Sequence, residues 1–514
     1  MTAMADIQLA QTWLNDCVGS HEICPKSLRS RLPLRILDLE SFDDTPDLRL
    51  MVDAKTTFGR YATLSHCWGQ SQPLKLTKST HDNFKEGIAY SSLPRTFQDA
   101  VTVTRSLGIR YLWIDSLCIT QDCKVDWEEQ CTEMGRIYKD SFITLAGPAA
   151  SGCHSGFLDA RQLPPQATIT VSDTESTSDV ILSYSGVTDT EDLGDLVPES
   201  DSVLFTRAWV LQERLLSSRV LYFGTKRMYL ECFTNVRFEN CHYPINWQYQ
   251  SVGMVEKLLI GRLGSLPKCF QYWRNLVTTY SETCLTHATD KLPALSGLAS
   301  EFQQETKTKY LAGIWKEDIP RQLVWYVFFF IDETPLPMIS ASDYIAPSWS
   351  WASAKLPVQF INSLYSNTFH SGLELIDSEV IRAGSDPFGR VKSGFLKVSG
   401  FLETGFVRQL PDKYVPGRRT HYLHSEKTAG DILAEYAPDD ITYVSVLPTE
   451  MVMLYLGRYS TGQAVALAIE LVDGQDDTYR RVGLMSSDDF GGKDINDRFR
   501  DLFRDVEKRV LLLI

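Results

Sequence analysis

A chain of 514 residues carrying a formal net charge of −14 is longer than one ordinary core organises, so two or three domains of roughly 100 to 200 residues each are expected. The acidic balance argues against a surface that tracks phosphates, because nucleic-acid affinity rests on Lys and Arg neutralising them, and no nucleic acid is expected as a partner. The first residues lack a basic segment followed by a long apolar one, and no apolar run reaches the roughly 20 residues of a membrane helix; a cytoplasmic protein with no membrane span is expected.

Residues 1–55 read as an N-terminal flap, with an amphipathic helix pattern from Ile7 to Leu14 followed by LPLRILDLE at 32–40, whose alternation predicts a strand. Between them Cys17, His21 and Cys24 lie close together. Zinc needs about four ligands and no second Cys/His pair stands at finger spacing, so local packing and no metal are expected. The 11 cysteines are odd in number and scattered through a long chain, a pattern of reduced, buried thiols rather than a disulfide framework.

Residues 56–235 read as the main domain, a parallel sheet flanked by helices. YATLSHC from Tyr61 predicts a strand. The helix that follows has Phe97, Ala100, Val101 and Thr104 on one face, Pro94 at its start and Gly108 as its stop. RYLWIDSLCI at 110–119 is apolar on both faces, as in a strand covered on both sides, and this βαβα rhythm implies a parallel sheet. Asp126 is predicted to cap the next helix, with Glu129 at the reciprocal position of a capping box. Strand SFITLAG at 141–147 precedes an excursion over about 160–203, rich in Ser, Thr, Asp and Pro, in which VILSY is a candidate edge strand. A short helix and two strands joined through Gly224 then follow from Arg207. Residues 236–514 read as an α+β region, helical near 266–306, with aromatic strands near 322–331 and 347–353 and several β-type runs after 395. The Trp349 and Trp351 pair alternates like a strand with one aromatic face.

No Gly-rich phosphate loop, HExxH, GxSxG, EF-hand or CxxC pair occurs, which removes kinases, P-loop NTPases, zincins and α/β-hydrolases as leading ideas. Five segments, in order, resemble the heterokaryon incompatibility (HET) domain family of filamentous fungi: YATLSHCWG at 61–69, LPRTFQDAVTVTRSLGIRYLWIDSLCITQD at 93–122, DWEEQCTEMGRIYKDSFITLAG at 126–147, RAWVLQERLLSSRVLYF at 207–223 and MYLEC at 228–232. The segments at 273–299 and 346–353 are similar to what commonly follows the domain in such proteins. The resemblance implies self/non-self recognition and the cell death that follows fusion of incompatible hyphae. Its implied partner is another HET or TIR-like domain, or a second copy of this chain. A distant kinship with TIR domains implies a TIR-like fold and raises NAD hydrolysis by a helix-borne glutamate. The family's presence in secondary-metabolite gene clusters raises a third role, an enzyme or accessory factor for a cofactor-independent cyclisation or rearrangement of a natural-product intermediate. No cofactor is expected, with NAD possible only as a substrate.

Two groups of residues carry the candidate chemistry. In open α/β sheets ligands bind beyond the carboxyl ends of the strands, which would gather Ser65, His66 and Trp68 with Asp115, Ser116, Cys118 and Gln121. His66, Asp115 and Cys118 suit acid/base or nucleophilic work; their plainer roles are satisfying backbone, capping a turn and filling core. On the following helix Trp127, Cys131, Met134 and Tyr138 share one face, Gln130 lies on its flank and Glu129 points away. The resemblance places the glutamate of a TIR-like hydrolase at Gln130, whose neutral amide cannot stabilise an oxocarbenium ion as a carboxylate does. Glu129 or Glu133 substitutes only if the helix rotates. Arg207, Trp209, Gln212, Glu213 and Arg214 form a polar and aromatic knot on one short helix, suited to a ligand phosphate, a partner's charges or an internal ion-pair network.

Overall fold

The computed structural model describes residues 2–3, 6–26, 29–69, 74–159, 161–162, 166–172, 177–183, 202–225, 227–239, 245–246, 264–327, 344–361, 368–411, 419–424, 432–439, 450–487 and 492–514. It forms two compact units, Met1–Leu259 and Ile260–Ile514. Among the described residues no helix is long and apolar enough to cross a membrane.

The first unit opens with helix α1 (Ile7–Ser20), capped by Asp6, whose carboxylate accepts from Leu9 N at 3.0 Å. Strands β1 (Ile36–Asp38) and β2 (Arg49–Met51) follow, then β3 (Tyr61–Ser65), every residue of which is buried. Helix α2 (Arg95–Ser106) begins after Pro94 and stops at Gly108, whose φ of 69° is the left-handed turn that glycine adopts without strain. Strand β4 (Tyr111–Trp113) is shorter than the predicted 110–119. Asp115 ends it: its Oδ1 accepts from Ser116 N at 2.7 Å, and Asp115–Cys118 coils into one helical turn.

Helix α3 (Lys124–Asp140) starts ahead of Asp126, so the expected capping box with Glu129 does not form. Asp126 is engaged elsewhere, accepting from Arg35 Nη2 at 2.6 Å and from Thr120 N at 2.7 Å. Strand β5 (Ile143–Ala146), helix α4 (Ala208–Leu216) and strands β6 (Arg219–Phe223), β7 (Met228–Cys232), β8 (Asn235–Phe238) and β9 (Ile245–Asn246) complete the unit's regular core. Within the predicted excursion, Gln166–Ser172 and Thr177–Ser183 pair antiparallel, so the VILSY strand is present through Ser183; 184–201 lie outside the described residues.

These nine strands form one sheet in the order β9-β8-β7-β6-β5-β3-β4-β1-β2. Only β6, β5, β3 and β4 run parallel to their neighbours within that group, and antiparallel strands extend both edges. The sheet is therefore mixed, not the parallel sheet read from the sequence, and helices flank it. Phe97, Ala100, Val101 and Val103 of α2 pack in one apolar core with Cys131, Met134, Ile137 and Tyr138 of α3 and with β3 and β4. Val210 of α4 packs in a second cluster with Val220, Tyr222 and Tyr229. Arg214 of α4 makes a bidentate ion pair with Glu231 of β7, 2.9 Å at its closest, and the Tyr222 hydroxyl donates to the same carboxylate at 2.6 Å.

The second unit holds helices α5 (Leu266–Ser281) and α6 (Ser296–Thr306) and an antiparallel pair, β10 (Trp325–Val327) and β11 (Val358–Phe360). The predicted strand at 322–331 survives as β10, and 328–331 lie outside the described residues. The predicted strand at 347–353 is instead a tight turn. Ser350 Oγ accepts from Ala352 N at 3.1 Å, and Trp349, Ser350 and Trp351 are all fully buried, so no exposed face alternates with the aromatic one. Beyond it lie β12 (Phe369–Ser371), β13 (Glu374–Arg382), β14 (Val391–Pro411), β15 (Arg419–His424), β16 (Ile432–Pro438), β17 (Met451–Tyr459), β18 (Ala464–Leu471) and β19 (Thr478–Ser486). Because the long β14 pairs with both β15 and β17, the strands β14 to β19 close an antiparallel ring without free edges. Helix α7 (Gly492–Asp501) adds Phe499 to the ring's apolar core, and β20 (Lys508–Leu513) pairs with β14 and β19.

Candidate functional site

Polar side chains converge at the carboxyl ends of β3 and β4, where an open α/β sheet offers its natural crevice. Ser65 ends β3, and His66 and Trp68 follow it; Asp115 and Ser116 follow β4. Trp68 Nε1 donates to Asp115 Oδ2 at 2.9 Å, joining the two strand ends. Gly69 lets this loop lie against the turn at residues 151–152: its φ is 74°, and a Cβ there would meet Gly152 Cα at 2.9 Å. From α4 and the residue before it come Glu213 and Arg207, the latter donating to the His66 carbonyl. Tyr138 reaches in from α3 and donates to the Leu64 carbonyl at 3.2 Å.

Burial dominates the electrostatics. It pushes the Glu213 carboxyl up to about 7; the Ser65 and Tyr138 hydroxyls and Arg207 act against that rise, while Asp115 adds to it. It pulls His66 down to about 4, because Asp115 compensates only partly for the lost solvation and Arg207 opposes it. The ring is therefore neutral at physiological pH. His66 Nδ1 lies 3.9 Å from Asp115 Oδ1, too far for a hydrogen bond. The Ser65 hydroxyl faces Glu213 rather than the imidazole, so Ser65, His66 and Asp115 are not an assembled nucleophilic triad.

The decisive property of the cluster is unmet hydrogen bonding. His66 Nε2 and Ser116 Oγ are buried without a hydrogen-bond partner, whereas the Glu213 carboxyl meets the Ser65 and Tyr138 hydroxyls. Buried polar atoms are normally satisfied, because each orphan costs about 1–3 kcal/mol. Two such atoms at the strand ends, His66 Nε2 and Ser116 Oγ, leave hydrogen-bonding capacity unused there. A carboxyl that titrates near 7 can both give and take a proton there.

The other sequence candidates separate from this cluster. Cys118 is core: burial pushes its thiol up to about 12, and its carbonyl accepts from Arg35 Nε at 2.7 Å. Gln121 braces the loop, donating to the carbonyls of Ile119 at 3.0 Å and Asp115 at 3.3 Å. On α3, Glu129 is exposed, Gln130 is buried and Glu133 pairs with Arg136 at 2.8 Å, so no glutamate of that helix reaches the cluster. Trp127 and Trp209 pack on the apolar core, and Gln212 is fully buried. Sequence reasoning missed Tyr138 and Cys67 as neighbours of the site. Tyr138 ends the packed face of α3, which made it look like core alone; Cys67, beside His66, has its thiol raised by burial with Arg207 nearby.

Residues 61–213 match the family model described as heterokaryon incompatibility protein (HET). The chain carries a HET domain. Neither a curated protein nor a solved structure matches it. All of Ser65, His66, Trp68, Asp115, Ser116, Tyr138, Arg207 and Glu213 fall within the HET domain, from strand β3 at its start to Glu213 at its end. A second group with ligating side chains, Cys17, His21, Cys24 and Cys232, lies outside the matched stretch, on α1, the loop after it and the end of β7.

Proposed function

We propose that the protein acts in self/non-self recognition of the heterokaryon incompatibility type and that the strand-end cluster of its HET domain binds the polar ligand on which the cell-death response depends. The unpartnered buried atoms of His66 and Ser116 at the strand ends support this reading, since a domain acting only as a docking surface has no use for unsatisfied groups in its interior. The ligand's hydrogen bonds would complete His66 and Ser116 and reach the Glu213 carboxyl, with Arg207 supplying positive charge beside an anionic group.

The test is expression of the wild-type chain and of Glu213→Gln and His66→Ala in a filamentous fungus. The wild type is expected to arrest hyphal growth, and both variants to abolish arrest at unchanged protein level. Arrest that persists in both variants overturns the role of the cluster; a harmless wild type overturns the incompatibility reading.

A second reading rests on the Glu213 carboxyl alone. A general acid/base near neutrality in a buried crevice suits a cofactor-independent rearrangement of a small molecule. If expression is harmless and deleting the gene alters the skeleton of one metabolite, this reading replaces the first. Hydrolysis of NAD is distinguished by cellular NAD, which would fall with the wild type and hold with Glu213→Gln. The candidate carboxylate is then Glu213 on α4, not a residue of α3.

A further inference from the structure

Three ligating side chains lie close together near the N-terminus, and folding brings a fourth to them. Cys17 sits on α1, His21 and Cys24 follow it, and Cys232 ends β7; their ligating atoms all lie within 4.8 Å of one another. The distances fit one ion. His21 Nδ1 is 3.7 Å from Cys24 Sγ and 3.4 Å from Cys232 Sγ. Tetrahedral zinc with bonds of about 2.3 Å to sulfur and about 2.0–2.1 Å to nitrogen would separate these atoms by about 3.5 Å. From this geometry we infer that Cys17, His21, Cys24 and Cys232 bind a structural zinc ion.

Three further observations agree. First, N–H groups are aimed at the sulfurs: Thr234 N and Asn235 N donate to Cys232 Sγ at 3.4 and 3.5 Å, and Arg219 Nε donates to Cys17 Sγ at 3.2 Å. A thiol accepts weakly and a metal-bound thiolate strongly, so this donor shell suits thiolates. Second, Arg219 is fully buried, and its side-chain partners among the described residues are Cys17 Sγ, Ser218 Oγ and the Phe142 and Pro25 carbonyls, with no carboxylate among them. Three thiolates around a dication carry one net negative charge, which neutralises that guanidinium. Third, the Asn235 amide lies 3.3 Å from His21 Nε2 and 3.7 Å from Cys232 Sγ. With Nδ1 on zinc, Nε2 carries the proton. The Asn235 NH2 faces the ring and its oxygen the sulfur in the structure; turned by 180°, the amide accepts from Nε2–H and donates to the thiolate.

The site is closed. Cys17, Cys24 and Cys232 are each at most 2% exposed and His21 9%, and four protein ligands fill a tetrahedral ion, which makes the zinc structural rather than catalytic. It clasps the end of α1 to strand β7, beside the ion pair of Asp16 with Arg237 at 2.8 Å.

The full chain, expressed with zinc and dialysed against metal-free buffer, is expected to retain about one zinc per molecule by elemental analysis, a full tetrahedral site's worth. Cys24→Ser and Cys232→Ser should each lose it, whereas Cys284→Ser, at an exposed thiol, should keep it. Because a ligand variant can fail to fold, the wild type is also loaded with cobalt(II), which should give tetrahedral d–d absorption and a thiolate-to-cobalt charge-transfer band that zinc abolishes. A wild-type chain without zinc that shows no such bands overturns the inference. So does iron in place of zinc, or a disulfide among Cys17, Cys24 and Cys232.

Discussion

Glu213 and His66 are perturbed by the same loss of solvent, and they tilt stability in opposite directions. Glu213 holds its proton more tightly folded than unfolded, so stability falls as pH rises from about 4.5 to about 7 and stays lowered above that. His66 holds its proton less tightly folded than unfolded, so stability rises with pH between about 4 and 6.5. The two slopes largely offset one another over their shared range. Glu213→Gln removes the falling limb: at pH 8 the variant is expected to be more stable than the wild type by up to about 3 kcal/mol, and at pH 4 the gain should vanish. Denaturant melts at the two pH values check it, and equal stability at pH 8 would sink the assignment of a strained carboxylate. Of this cluster, Ser65, His66, Trp68, Asp115 and Ser116 were legible because strand ends in an α/β sheet are where ligands sit. Glu213 was read as one member of a helix knot. Nothing in its spacing announces that it is buried beside Ser65 and Tyr138, since that depends on how α4 docks.

At the scale of elements, boundaries failed where a side chain outbid the backbone ladder. Strand 110–119 became three residues and a helical turn because the Asp115 carboxylate takes the Ser116 N–H, and the Trp349–Trp351 strand became a turn because Ser350 does the same for Ala352. Elements fixed by apolar pattern and by Pro and Gly stops, such as β3 and α2, came out as read. The link between β4 and α3 is governed by a residue far away in sequence. Arg35, just before β1, grips the Asp126 carboxylate and the Cys118 carbonyl together. Burial works against it, yet Arg35 and Thr120 N hold the Asp126 carboxyl below its ordinary range. Asp126→Asn leaves a mostly buried guanidinium without its counter-charge and should cost on the order of 3 kcal/mol. Combining it with Arg35→Met should recover part of that loss, as read from thermal melts of the double-mutant cycle. Simple additivity would mean that the pair does not act as a unit.

At the scale of the molecule, the described strands of each large sheet pair within a single unit. The mixed sheet and the clusters around Trp113 and Tyr222 lie wholly within residues 1–259, and the antiparallel ring lies wholly within the second unit. Residues 1–259 produced alone are therefore expected to melt in one cooperative transition and keep the near-ultraviolet signature of their buried tryptophans. A molten state without that signature would show that the unit does not stand by itself.

The clasp between α1 and β7 also sets an order of events during synthesis. Cys17, His21 and Cys24 leave the ribosome together, but Cys232 follows His21 by 211 positions. At translation rates of roughly 5–20 residues per second, the first three side chains wait on the order of ten seconds or longer for the fourth. Throughout that interval two thiols near the start of the chain are open to oxidation or to a borrowed ligand. The N-terminal helix can be locked down only after the last central strands of the sheet have been made.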